Sequence, residues 1–340
     1  MSPRASVLFL AYNHREFVAD GLRSALLQDC DDFELIVVDD ASTDGTRMII
    51  EETLRLHNRN NVSVHLIFHN QNKGLIEAVN SAMAAARGDY FVMMAGDDIS
   101  MPDRLRRTLE AFDDQEVMLV VGDYLKINEK GRPYHSRPSR KLPRRCEYGA
   151  WPSLRIYGNS CPFGAAAAYR RKLYDFFGPM HQGSHAEDNC FWVRALLLGQ
   201  VHHEEIQFVL WRQHANNLSN FQVSLDSTVW RRRHLAWMEQ HSNMSAQWLV
   251  DIDTAYSAGK LSAYRRHLLR VAARREDATW GLEASSLRRD PWNQWIPRAW
   301  KMLKLGRIST TFRMMKLRLS PRRQERRWVS WAELKSDSVA

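Results

Sequence analysis

Two stretches decide how this chain folds: Glu34-Leu35-Ile36-Val37-Val38-Asp39-Asp40 and Tyr90-Phe91-Val92-Met93-Met94-Ala95-Gly96-Asp97-Asp98. Each is a short apolar run that ends on a pair of aspartates. Such runs, bounded by turn residues, read as buried parallel strands. In an open α/β sheet, ligands bind beyond the carboxyl ends of the strands. Two acidic pairs delivered to that edge imply a site that needs concentrated negative charge. A divalent cation bridging to phosphate is the common reason, because Mg²⁺ and Mn²⁺ take hard carboxylate oxygens and keep positions open for substrate. Three other acidic pairs lack this context. Asp31-Asp32 and Asp113-Asp114 sit in short polar connections, where Asp is an ordinary turn residue. Asp251 and Asp253 have no turn signal before the helix-like stretch that follows.

Outward from the two runs, strand and helix patterns alternate. Strands are expected at Ser6–Ala11, Phe33–Val38, Val62–Phe68, Tyr90–Met94 and Val117–Gly122. Helices are expected from Phe17 to Leu26, from about Gly45 to Leu56, from Gly74 to Ala86 and from Pro102 to Phe112, where a first-turn proline is tolerated. This alternation implies right-handed βαβ units and a mostly parallel sheet. Residues 128–159 read as one long irregular stretch, and a loop of that length is functional or disordered. Beyond it, Ala165–Tyr174 and Asn189–Leu198 read as helices, Ile206–Trp211 as a strand, and His202-His203 as surface. From about residue 228 the chain turns to Trp- and Arg-rich helical segments. The expected division is an α/β domain over residues 1–225 and a helical, basic region over 226–340.

The 340 residues, 44% hydrophobic and 26% charged, suit a soluble globular protein. No window approaches the roughly 18 uninterrupted apolar residues of a spanning helix. Met1 leads almost directly into a strand pattern, which leaves no room for a signal peptide, so a cytoplasmic location is expected. Cys30, Cys146, Cys161 and Cys190 lie far apart, a spacing that excludes a zinc ribbon and fits free thiols in a reducing compartment. The net charge of +9 is unevenly placed. Residues 291–340 hold 12 Lys and Arg against 3 Asp and Glu, and the preceding 290 residues hold 36 of each sign. An anionic partner would therefore meet the tail.

Four motifs, in order, resemble family 2 inverting glycosyltransferases of the A-type fold: Ser6-Val7-Leu8-Phe9-Leu10-Ala11-Tyr12-Asn13, Val37-Val38-Asp39-Asp40-Ala41-Ser42-Thr43-Asp44, Gly96-Asp97-Asp98 and Ala186-Glu187-Asp188. The resemblance covers roughly residues 5–220. It implies a Rossmann-like α/β domain that takes a nucleotide-sugar donor, most simply UDP-linked, and moves its sugar to a hydroxyl of an acceptor glycan or glycolipid. Asp40 would accept a hydrogen bond from the nucleotide base, such as uracil N3–H. Tyr12 would lie along that base, Lys73 would contact the donor, and Asp97 would sit on the ribose or a metal-bound water. Asp98 would hold Mn²⁺ or Mg²⁺, His214 would be a further ligand, and Asp188 would be the catalytic base. Chemistry supports these roles: a departing diphosphate needs charge stabilisation, and an attacking hydroxyl needs one base.

Plainer readings stand beside these. Asp188 suits the start of a helix, since acids favour helix N-termini. Tyr12 suits strand-end packing, His214 the surface and Asp44 a helix start. The tail interleaves Trp295, Ile296, Trp300, Met302, Leu303 and Phe312 with Lys and Arg. It reads either as a basic amphipathic helix on an anionic membrane or as a subdomain that buries its tryptophans. Nucleic-acid binding is not expected, because no motif accompanies the charge. Two other functions share parts of the pattern. A sugar-1-phosphate nucleotidyltransferase would need a Gly-rich loop where Ala11-Tyr12-Asn13-His14-Arg15 stands, and a non-catalytic binding module would have lost an acid.

Overall fold

A computed structural model describes residues 3–57, 59, 61–133, 145–146, 163–184, 186–214, 217, 235, 244–288, 291–304, 311 and 315. The chain divides into two compact units: residues 1–182, 186–212 and 254–261 form the first, and 183–185, 213–253 and 262–340 the second. The expected boundary near residue 225 falls outside the described residues.

The first unit is built on a nine-stranded sheet of order β3-β2-β1-β4-β8-β6-β9-β5, with β7 pairing on β9. β1 (Ala5–Ala11) and β2 (Phe33–Asp39) are buried at every residue, as their uninterrupted apolar sequences require. β3 (Ser63–Phe68) closes that side as a partly exposed edge strand. β1 pairs in parallel with both β2 and β4 (Tyr90–Ala95), so three strands end side by side. Most paired residues lie in parallel ladders, including the long one between β6 (Val117–Ile127) and β9 (Gln200–Arg212). Between the strands run α1 (Val18–Leu26), α2 (Thr46–Leu56), α3 (Leu75–Ala85) and α4 (Arg104–Ala111).

Four expectations need correction. The stretch 165–174 is not one helix: after a 3₁₀ turn at Gly164–Ala166 come β8 (Ala167–Arg170) and α5 (Lys172–Phe177). Its alanines favour a helix in isolation, but burial between β4 and β6 decides otherwise. Ile99-Ser100, read as a turn, forms the short β5 against Val209 and Leu210. β9 starts at Gln200 rather than Ile206. His202 and His203 hid its start: both are buried, His203 Nε2 lying 3.0 Å from Asp123 Oδ1 and His202 Nε2 2.8 Å from Glu204 Oε1. Within the irregular stretch, β7 (Arg145–Cys146) is a strand and residues 134–144 and 147–162 lie outside the described residues.

At the amino end of the sheet one acid is fully enclosed. Glu34, with no exposed surface, accepts from Ser6 Oγ at 2.7 Å and from Arg87 Nε at 3.0 Å. Burial alone would raise its pKa, yet Ser6 and Arg87 outweigh it and hold the carboxyl below its ordinary value.

The second unit is helical. Its described parts include most of α7 (residues 244–257), α8 (Ala263–Arg288) and α9 (Trp292–Lys304). Asp251 accepts from Gln247 within α7, while Asp253 takes Arg266 and Arg270 of α8 and so ties the two helices together. Trp295, Ala299 and Met302 of α9 bury against Ala278 and Leu282 of α8. Trp292, Ile296 and Trp300 stay exposed. The tail helix thus buries one apolar face and shows another. Among the described residues no helix is long and apolar enough to cross a membrane, and Cys30 and Cys190 are free thiols.

Candidate functional site

Topology collects the acids. β8 runs antiparallel to β4, so the 3₁₀ turn before β8 lies at the carboxyl edge of β4. β6 is antiparallel to β8, and β9 is parallel to β6, so β9 also ends at this edge. Asp40 after β2, Asp97-Asp98 after β4, Arg212 at the end of β9 and α6 (Glu187–Leu198), which starts beside Gly164, therefore share one side of the sheet.

The two aspartates of the first doublet have different jobs. Asp39 closes its own turn, accepting from Ser42 Oγ and from Ser42 N at 3.2 Å. Asp40 is 4% exposed and organises the loop before α3. Its Oδ1 accepts Lys73 N–H at 2.9 Å and faces His69 Nδ1 at 2.7 Å, and its Oδ2 accepts Gly74 N–H at 2.7 Å. A carboxylate at this place satisfies donors that precede a helix N-terminus. Gly74 carries φ +85°, a conformation that costs glycine nothing. Lys73 brings its backbone to Asp40 and leaves its side chain exposed. Tyr12 is 44% exposed at the end of β1. The loop beside it is stitched to the β2 loop: Asn13 N donates to Ser42 Oγ at 2.8 Å and Thr43 N to Asn13 Oδ1 at 2.9 Å. Asp44 accepts from Arg15 N and Thr46 N, a helix-start role.

The second doublet is held from three sides. Gly96 N donates to Leu10 O at 2.7 Å. Gly21 of α1 packs so close that a Cβ there would meet the carbonyl oxygens of Gly96 and Asp98 at 2.9 Å. Arg212 binds the loop through its backbone N–H to Asp98 Oδ1 and its Nε to Asp97 O, both at 2.9 Å, while Nη1 reaches Glu129 O at 2.7 Å. Arg104, buried in α4, donates to Met93 O at 2.7 Å and Ala167 O at 3.3 Å, the rung where β4 and β8 part. Burial pushes its guanidinium down to about 9 despite the nearby Asp98.

Burial, then the neighbouring Asp97 charge, drives the Asp98 carboxyl well above its ordinary value, against the pull of Arg212 and Arg104. His14 Nε2 lies 3.7 Å from Asp97 Oδ2. Among the described residues no three His, Cys, Asp or Glu side chains form a ready cation cluster. The doublet still fits a divalent cation. It offers two hard-oxygen side chains whose mutual repulsion a cation would relieve, and among the described residues Asp98 Oδ2 accepts no hydrogen bond.

Asp188 stands in the first turn of α6 beside Glu187, so it does open a helix. Burial, then Glu187, raises its carboxyl well above the ordinary value, although the backbone N–H groups of Asn189 and Gly164 pull the other way. A Cβ on Gly164 would come within 2.2 Å of Glu187 Oε1, so the Glu187 carboxyl would have to shift to admit one. His214 belongs to the second unit, where it is buried and its N–H donates to Asn217 Oδ1 at 2.6 Å. It is not among the residues the first unit brings together.

Arg212, Arg104 and His69 escaped the sequence reading, and Glu187 entered it only as part of the Ala186-Glu187-Asp188 motif. Arg212 left one trace, a charge ending an apolar strand. The others looked like ordinary helix or loop residues.

The model for glycosyl transferase family 2 matches residues 6–177. The teichuronic acid biosynthesis glycosyltransferase TuaG of Bacillus subtilis is 31% identical over 131 residues, 38% of this chain and 50% of TuaG. The chain thus spans half the length of that relative. Among solved structures, TarS 1–349 of S. aureus with UDP-GlcNAc aligns over 95% of this chain and 92% of its own, with a TM-score of 0.56 at 17% identity. The mannosyltransferase PcManGT of Pyrobaculum calidifontis, with GDP-Man and Mn²⁺, aligns over 94% and 88% with a TM-score of 0.50 at 18% identity. At such identities the likeness carries the fold, and the fold is that of A-type glycosyltransferases followed by a helical region. With half of its length matched by the family model and that sheet carrying the motifs in order, the chain belongs to glycosyl transferase family 2.

Proposed function

We propose that this protein transfers a sugar, with inversion, from a UDP-linked donor to a hydroxyl of an acceptor glycan or glycolipid. The observation that carries the reading is the gathering of Asp40, Asp97, Asp98 and Asp188 at one carboxyl edge of the sheet. Asp40 receives the base, Tyr12 lies along it and Lys73 meets the donor. Asp98, with Asp97 beside it, would hold Mn²⁺ or Mg²⁺, which would supply positive charge to the departing diphosphate. Arg212 keeps the doublet in place by bonding both its residues.

Asp188 takes the proton of the acceptor hydroxyl as the oxygen attacks the anomeric carbon. One C–O bond forms as the bond to the diphosphate breaks, and the nucleoside diphosphate leaves with the electron pair. A single displacement needs one base, and a carboxyl raised by burial suits the task because its basicity lies nearer the operating pH. The relative that acts in teichuronic acid biosynthesis supports a role in bacterial polysaccharide assembly. Screening nucleotide sugars for Mn²⁺-dependent donor turnover tests the reading: a UDP-sugar is expected to lead, and full activity in EDTA contradicts the cation role.

The exposed face of α9 supports work at the cytoplasmic surface of an anionic membrane. Trp292, Ile296 and Trp300 recur at helical spacing, 44%, 55% and 60% exposed, on the segment that holds the whole net charge. Each basic residue near such a surface contributes about 1 kcal/mol, screened over roughly 10 Å at 0.1 M salt. Sedimentation with anionic vesicles, weakened by salt and by Ile296→Glu with Trp300→Glu, is expected. Salt-independent binding, or none, contradicts it.

A further inference from the structure

Asp40 has a buried histidine partner. His69 follows β3 with its backbone N–H on Asp39 O at 3.0 Å. Its ring lies between Asp40 Oδ1, 2.7 Å from Nδ1, and Ser81 Oγ of α3, 3.0 Å from Nε2. Both the His69 and Asp40 side chains are 5% exposed. A carboxylate only accepts, so Nδ1 carries the proton in this contact. The row Ser81–His69–Asp40 has the order of a hydrolytic triad. Ser81, however, lies inside α3, where backbone N–H groups are spent on the helix and none is left to hold an oxyanion. The row positions; it does not cleave.

What it positions follows from counting acceptors. A carboxylate offers about four acceptor sites, two on each oxygen. His69 and Lys73 N–H take both on Oδ1, and Gly74 N–H takes one on Oδ2. One remains. Uracil presents a single ring N–H between two carbonyls. Guanine presents N1–H and an amino group side by side and asks for two acceptors. Cytosine offers an acceptor at N3, which a carboxylate repels.

We infer that His69 is a specificity-determining residue: by occupying Oδ1 it leaves Asp40 one acceptor, which admits uracil and turns away guanine, while the carboxylate itself repels cytosine. This rests on the proposal that Asp40 receives the base. Titration calorimetry of the full chain with UDP, GDP and CDP in Mn²⁺ tests it. UDP is expected to bind about 10–100-fold more tightly than GDP, the scale set by one unsatisfied buried group. His69→Phe fills the ring's space without the donor and should narrow that ratio about tenfold, chiefly by strengthening GDP. His69→Asn, whose amide can stand near Nδ1, should restore the ratio. Ser81→Ala, which frees the far side of the ring, should narrow it about threefold and serves if the Phe variant does not fold. If the wild-type chain shows no preference for UDP, or Asp40→Asn leaves it unchanged, the base reading fails and this inference with it. If the preference depends on Asp40 yet survives both His69→Phe and Ser81→Ala, the role given to His69 alone is overturned.

Discussion

Glu34, buried, and Asp188, partly exposed, are acids of one sheet domain, and their surroundings treat them in opposite ways. Glu34, at the amino edge, receives the Ser6 hydroxyl and the Arg87 guanidinium, and its carboxyl is held low. Asp188, at the carboxyl edge, has burial and Glu187 against it, and its carboxyl is held high. Asp98 shares that condition. The fold pairs the acid at the amino edge with a cation and leaves the acids at the carboxyl edge, where we propose the chemistry lies, beside like charges. Perturbed acids gather at working sites for this reason.

The largest test of the contrast is Asp98→Ala. If the doublet clamps a cation on the diphosphate, transfer should fall by at least about 10³-fold, measured as product release with the melting temperature checked in parallel. Loss of folding together with activity would make Asp98 a second Glu34. Next comes Asp188→Asn, which keeps shape and removes basicity. Turnover should drop about 10²–10⁴-fold while UDP affinity survives, and the variant should melt higher than the wild type.

The converse substitution is Glu34→Gln. Losing the charged hydrogen bonds of this buried carboxylate with Ser6 and the half-exposed Arg87 costs about 1.5–3 kcal/mol, so urea unfolding should shift while turnover per folded molecule stays the same. Gly21→Ala should give the smallest effect. The added methyl meets the Gly96 and Asp98 carbonyls, and easing α1 away costs about 1–3 kcal/mol. The readout that separates it from a purely structural change is a several-fold rise in donor KM with kcat less affected.

Much of this was legible in the sequence, for a physical reason. The strands that carry the doublets are buried on both faces, so their apolar runs are unbroken, and turn chemistry follows at once. Asp40 and Asp98 could thus be placed by local pattern, whereas Asp188 was marked only by its place in the family motif and locally read as a helix start. What was hidden depends on pairing between distant segments. β8 is alanine-rich and reads as helix until β4 and β6 close around it. His202 and His203 break an apolar pattern that Asp123 and Glu204 repair in space. Arg212, Arg104 and His69 act through contacts many residues away, and no spacing along the chain announces them.

The contrast between the two edges is tested most directly by unfolding free energy against pH for the wild type, Glu34→Gln and Asp188→Asn. Unfolded carboxyls titrate near pH 4. Glu34, lowered in the folded state, contributes stability that is present above that pH and lost as pH falls through its folded pKa. Asp188, raised in the folded state, withdraws stability as pH climbs from about 4 to its folded value. The deficit of Glu34→Gln should therefore be full and nearly flat above about pH 5 and shrink as pH falls below about 4, while the advantage of Asp188→Asn is absent near pH 4 and grows towards pH 8, so the two curves change on opposite sides of about pH 4. Curves that move together, or an Asp188→Asn variant less stable than the wild type at pH 8, would contradict the division between a satisfied edge and a working one.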